Sequence, residues 1–397
     1  MDLFGETLVD PEDEVSDEDR DPDYGSTGDI GREPGRSNIL CAPRSMAFCL
    51  GHEDQEQSIL DILAAGRLPH AMVFSGPKGI GKCTFAFRFA RFLLRQGHLY
   101  SLEEGLFGSE DAIIPDSMDI SEHDPVFSRV ASGGHGDLLF IERAIDPAKG
   151  REKAELTAEV VRKIPPFLRK TSSEGGWRVV IVDDADTMNN TAQNAILKIL
   201  EEPPDKVAII LITHRTGALI PTIRSRCRVL PFRPLDEHAI QNLLARQGYI
   251  YSPSDAALIF DFSCGSIGTA IQFAEEGGPE LFREILALLA SGPEWNWLEI
   301  HKFSQSFFGT SGDKRYFLTA QIMTWLFEKL AFVRARGGVG WPAYLADNRS
   351  ERAVISGFSC EKLAAIADDL RVHFQRTEFS NLDKRETVRS AFLMINP

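Results

Sequence analysis

Apolar positions in this chain follow two rhythms. Five short apolar runs, 71–75, 138–141, 179–182, 207–213 and 229–232, have the length and β-branched content of strands buried on both faces. Around them, apolar residues recur every three or four positions. Examples are Ile59, Leu60, Ile62 and Leu63 in 54–66, and Phe85, Phe89, Phe92 and Leu93 in 83–95. After a capping Asn189 or Asn190 come Ala192, Ala195, Ile196, Ile199 and Leu200, until Pro203 and Pro204 stop the helix. A helical pattern over 156–168 is interrupted by Pro165 and Pro166, which leaves its register open, and 97–136 reads as loops and short helices. The alternation predicts an α/β fold, a mostly parallel five-stranded sheet flanked by helices. Past residue 232 only the helical rhythm continues, through 238–247, 253–262, 266–276, 281–289, 316–336 and 360–375. Phe317, Ile322, Trp325, Leu326 and Leu330 in the fifth of these are expected in the core first, and at a subunit contact second. The chain thus divides into an α/β domain over 37–232, a small helical segment over 233–278 and an all-helical domain over 279–397.

Charge changes the picture at the N-terminus. The 397 residues carry a formal net charge of −15, with 43% hydrophobic and 25% charged residues. Residues 1–36 hold thirteen Asp and Glu against three Arg, or 3 − 13 = −10, which leaves −5 for the rest. Such a segment cannot bury enough apolar surface to offset chain entropy, so an acidic disordered tail is expected, solvated and without a partner first, with a short docking motif at Phe4, Leu8 and Val9 as the second reading. A mildly acidic body argues against strong DNA binding by this chain alone, because neutralising phosphates needs clustered Lys and Arg. Apolar runs such as 207–212 are too short to span a bilayer, and the acidic start lacks the order of a signal peptide. A cytoplasmic chain with no membrane partner is expected. Cys41, Cys49, Cys83, Cys227, Cys264 and Cys360 form no C-x-x-C pair, which points to neither a disulfide framework nor zinc.

Two stretches carry chemistry. After the first strand, Gly76-Pro77-Lys78-Gly79-Ile80-Gly81-Lys82 is a glycine-rich turn before a helix, the context of a phosphate-binding loop. Gly76, Gly79 and Gly81 let backbone N–H groups converge on phosphate oxygens, the helix N-terminus adds its positive end, and Lys82 reaches the β and γ phosphates. ATP or ADP with Mg²⁺ is the ligand implied. The loop wants Ser or Thr after the lysine to hold the cation, and Cys83 stands there; a thiol suits a hard cation poorly. Thr84 follows, about 100° further round a helix. After the third strand comes the acidic pair Asp183-Asp184, at the sheet edge where open α/β sheets bind ligands; a solvated acidic turn in an ordinary βα unit is the alternative.

The phosphate loop, the runs IVDDAD and NAILKILEEPP, Thr213 and the triplet Ser225-Arg226-Cys227 together resemble bacterial clamp-loader subunits of the AAA+ class. The likeness covers 51–276, and more weakly the C-terminal part around Asn381-Leu382-Asp383-Lys384. It implies an AAA+ domain, a helical lid over 233–278 and a helical collar over 279–397. Asp183 would stand on the metal side, Asp184 at a position where working members use Glu, Thr213 at a sensor position and Gly268 where the motor subunit has an arginine. Departures at Cys83, Asp184 and Gly268 all weaken the same hydrolysis, which favours a non-hydrolysing subunit over an independent ATPase. A third reading is a scaffold with a vestigial loop. Arg226 is intact, and the resemblance offers it in trans to the neighbouring subunit's nucleotide, the alternative being a surface arginine paired with a neighbouring carboxylate. The partners implied are gamma/tau motor subunits and a delta subunit, with sliding clamp and primed DNA reached through the assembled complex. The four-cysteine zinc module of some members is missing, since no cysteine lies between Cys83 and Cys227.

Overall fold

Five parallel strands form one sheet in the order β2-β5-β6-β1-β7: β1 (Ala71–Ser75), β2 (Leu138–Ile141), β5 (Arg178–Val182), β6 (Val207–Thr213) and β7 (Arg228–Pro231). A separate two-stranded ribbon joins β3 (Ile145–Asp146) to β4 (Arg151–Glu152). The computed structural model describes residues 42–103, 116–146, 151–291, 295–337, 341–346, 358–380 and 382–395. The acidic tail expected over 1–36, with Phe4, Leu8 and Val9, lies outside the described residues, as does Cys41.

Every residue of β1, β5 and β6 is buried, as their unbroken apolar runs require. Their side chains alternate between two cores. Met72, Phe74, Ile181, Ile210 and Ile212 face α1 (Glu53–Ala64), α2 (Lys82–Glu103) and α3 (Pro125–Ala131). Val73, Val180, Val182, Ile209 and Leu211 face α4 (Ala158–Val161), α5 (Ile164–Leu168), α6 (Asn190–Glu201) and α7 (Pro221–Arg224). Each fully buried Phe, Ile or Val contributes roughly 1.5–3 kcal/mol, so the sheet is the rigid part of this half. Parallel register places Ser75 beside Thr213 and Val182 beside Leu211. The ends of β1, β5 and β6 therefore deliver the phosphate loop, the acidic pair and Thr213 to one edge.

Three local expectations change. The 156–168 pattern is two short helices, and the prolines do not interrupt it: Pro165 and Pro166 lie in the first turn of α5, where a missing N–H costs no intrahelical bond. Helix α2 runs to Glu103, beyond the expected end at 95. The β3/β4 ribbon was not anticipated, because two-residue strands carry no periodicity.

After β7 the described elements are helices. α8 (Glu237–Arg246), α9 (Pro253–Ser263) and α10 (Ile267–Glu275) are capped by Asp236, Ser252 and Ser266, each accepting a backbone N–H. They share one hydrophobic cluster, from Leu235 to Ile395, with the helices beyond, including Gly278–Leu289, Gly309–Ala335 and Cys360–Ser380. Ile322, Leu326 and Leu330 are buried in it, and Phe317 and Trp325 pack against it half-buried. No helix among the described residues is long and apolar enough to cross a membrane.

Candidate functional site at the sheet edge

The phosphate loop has the backbone its glycines imply. Gly79 and Gly81 take φ of 74° and 101°, and a Cβ on Gly76 would sit 2.5 Å from the Phe232 carbonyl oxygen. His52, just before α1, braces the loop: its ring nitrogen Nε2 lies 2.7 Å from the Ile80 carbonyl. Lys82 is buried and folded back, its Nζ donating to the carbonyls of Gly76, at 2.7 Å, and Pro77. Burial pushes its ammonium down to about 8, against the pull of Asp183, Asp186 and Asp184.

The same ammonium starts a chain of contacts. Lys82 Nζ lies 3.0 Å from His214 Nδ1, and His214 Nε2 lies 2.6 Å from Asp184 Oδ1. An ammonium only donates, so Nδ1 accepts and Nε2 carries the hydrogen toward Asp184. The other Asp184 oxygen accepts from Arg143 Nε at 2.9 Å and Nη2 at 2.6 Å. These partners, His214 first, hold the Asp184 carboxyl at about 2. Asp184 has φ 48° and ψ 41°, a left-handed conformation that Asp tolerates better than most residues.

Cys83 and Asp183 face each other. The thiol is hydrogen-bonded to the Asp183 carboxyl, burial lifts the thiol well above its usual range, and burial also raises Asp183. Thr84 is half-buried one position further along α2. Thr213 is fully buried and its Oγ1 accepts the Arg215 N–H at 3.1 Å. Asp184, Asp186 and His214 bring ligand atoms within 4.8 Å of one another. Arg143, Lys82, the His214 N–H on Asp186 at 3.0 Å and Arg215 already engage them.

The lid helix α10 meets the loop backbone to backbone. Gly268 N–H donates to the Gly79 carbonyl at 2.9 Å, and a Cβ on Gly268 would lie 3.3 Å from Gly79 Cα. Gly268 thus gives the lid a direct seat on the loop. Arg226 lies elsewhere, just beyond α7, with its side chain 35% exposed. Its Nη2 pairs with Glu201 Oε1 at 2.9 Å, and Nη1 donates to the Thr222 carbonyl at 3.0 Å. Cys227 beside it is buried, its thiol pushed up to about 11.

The structure therefore gathers Gly76, Gly79, Gly81, Lys82, Cys83, Asp183 and Thr213 at one edge and leaves Arg226 apart. Sequence reasoning missed His52, Arg143, Asp186, His214 and Glu201. His214 had a signal, because it follows Thr213 at the end of a strand pointing to the site. Arg143 had none, since it sits in the turn after β2.

A phosphate-loop sheet with an acidic strand end and a helical lid seated on the loop defines an α/β domain of the AAA+ class. Residues 116–236 match the family described as DNA polymerase III, delta subunit. The chain is similar to DNA polymerase III subunit delta' of Bacillus subtilis, 30% identical over 208 residues that cover 52% of this chain and 54% of that protein. It is also similar to DNA polymerase III subunit gamma/tau of Mycobacterium tuberculosis, 33% identical over 207 residues covering 51% and 31%. A solved DNA polymerase III gamma subunit-related protein of Thermotoga maritima aligns at 17% identity over 85% of this chain and 98% of that one, with a TM-score of 0.34. These matches all fall within the DNA polymerase III clamp-loader family. The chain spans 54% of the length of the delta' relative and 31% of the gamma/tau relative.

Proposed function

We propose that this chain is a delta-prime-like subunit of a DNA polymerase III clamp loader, working in a hetero-oligomer with gamma/tau motor subunits and a delta subunit to place the sliding clamp on primed DNA. In this reading it splits no nucleotide in its own pocket and lends Arg226 to the nucleotide of its neighbour. One observation carries the reading: the groups a reaction in this pocket would need are bonded to each other. Asp183 is engaged by Cys83, and Asp184 by His214 and Arg143. A carboxylate held on two sides by cations and donors is a poor candidate to accept a proton from water.

The loop fits phosphate, since its backbone keeps the glycine conformations that turn N–H groups inward and Lys82 stands within it. ATP or ADP would be held by those N–H groups and by Lys82. The metal corner does not fit: it offers a thiol, bonded to Asp183, where Mg²⁺ takes oxygen. A guanidinium supplied in trans, by contrast, needs only surface access and neutralises charge developing on the transferred phosphoryl group.

ATPase assays of the purified chain, alone and reconstituted with gamma/tau and delta subunits on primed DNA, test this. The expected result is no turnover alone, and turnover in the complex that drops by about tenfold or more with Arg226→Ala while native mass shows the complex intact. Robust turnover by the chain alone would instead make it a motor of the gamma/tau kind.

A further inference from the structure

We infer that Glu201 is a positioning residue for Arg226, holding the guanidinium ordered on the surface until a neighbour's nucleotide meets it. The inference rests on the finger reading above. Both side chains spring from fixed backbone. Glu201 closes α6, whose preceding residue Leu200 is buried and whose Leu200 carbonyl lies 3.0 Å from the His70 ring nitrogen Nε2. Pro203 and Pro204 follow, so the chain cannot continue as helix. Arg226 follows α7, and its N–H and that of Cys227 both donate to the Ile223 carbonyl at 3.1 Å, with Ile223 fully buried. What remains free at each end is the side chain.

An unpartnered arginine samples many rotamers, and each one lost on meeting a phosphate costs entropy. Glu201 selects one arrangement in advance. Its carboxylate takes Nη2, while Nη1 is held by the Thr222 carbonyl and by Ser225 Oγ at 3.3 Å. The two paired side chains are 35% and 49% exposed, so water screens the pair and it orders the guanidinium without trapping it. A phosphate carries more charge than a carboxylate, and a triphosphate presented from across a subunit boundary can take over the remaining donors. Helix α6 also begins at Asn190, capped by Asn189, just after the acidic turn of this chain's own pocket. One helix thus connects that pocket with the finger.

A double-mutant cycle in the reconstituted complex tests the role, with Glu201→Ala, Glu201→Gln, Arg226→Ala and the doubles compared in ATP turnover on primed DNA. Glu201→Ala and Glu201→Gln should each lower kcat by about two- to fivefold, the rate equivalent of an exposed ion pair, with KM for ATP unchanged. Neither should add anything to Arg226→Ala. If Arg226→Ala slows turnover but the Glu201 variants do not, or if their effect persists undiminished beside Arg226→Ala, the positioning role is overturned and the finger stands. If Arg226→Ala leaves turnover unchanged in an intact complex, the finger reading itself falls, and this inference with it. A rise in KM alone would mark a structural effect on the neighbour's pocket and also overturn the role.

Discussion

Asp184 takes a left-handed backbone, and its carboxylate is held by His214 on one oxygen and Arg143 on the other. Bonding to His214 first, then to Arg143, lowers its pKa from 3.8 to about 2. A carboxyl depressed in the folded chain contributes stability that is fully present above its unfolded value. That contribution is lost as pH falls from near 4 through about 2. The shift corresponds to about 2 kcal/mol. Asn tolerates the left-handed conformation as Asp does, so Asp184→Asn isolates the charge. Urea denaturation should show the variant less stable by about 2 kcal/mol at pH 7, with the gap closing toward pH 2. Equal stability at pH 7 would mean that the contacts hold nothing. At this scale the sequence was uneven. Cys83 was legible because one atom type is wrong for a hard cation at a fixed motif position. The Lys82–His214–Asp184–Arg143 chain was not, because its members are brought together by four different strand ends.

Among the elements, the strands were the most legible, since a run such as 207–213 with no polar break can only be buried on both faces. Helix ends were less so: Pro165 and Pro166 look like breakers by residue type, and only their place in the first turn of α5 makes them compatible with it. The seating of α10 on the phosphate loop could not be read at all, because a bond between the backbones of Gly268 and Gly79 leaves no trace in side-chain pattern. It can be tested through Gly79, whose φ of 74° disfavours any side chain and whose added Cβ would fall 2.4 Å from Ser266 Oγ, the cap of α10. Gly79→Ala should therefore cost about 1–3 kcal/mol in backbone strain and push the first turn of α10 away. Hydrogen exchange would read this as lost protection at the Gly268 amide, with β1 and β6 unaffected. Protection kept at Gly268 would show that the seat tolerates the methyl group and is looser than its geometry.

At the scale of the whole chain, the buried hydrophobic residues among the described ones fall into separate clusters. Two sandwich the sheet, and one runs through the helices from Leu235 to Ile395. The change of rhythm after residue 232 was visible in the sequence for this reason: a helix-only core needs apolar positions every three or four residues, and a two-faced parallel sheet needs unbroken runs. Separate cores imply that one can be loosened before the other. Ile322 is fully buried near the middle of the helix Gly309–Ala335, which packs closely along Cys360–Ser380. Ile322→Ala removes three methyl-type carbons from that core and should cost about 2–5 kcal/mol. If the cores are independent, hydrogen exchange will speed up across 309–395 while β1, β5 and β6 keep their protection. If the helical part is also what assembles with other subunits, the variant will fail to join the gamma/tau and delta subunits although its phosphate loop stays folded. Uniform loss of protection in both halves would show a single cooperative unit, in which case the seat of Gly268 on Gly79 couples the lid to the sheet more strongly than one hydrogen bond suggests.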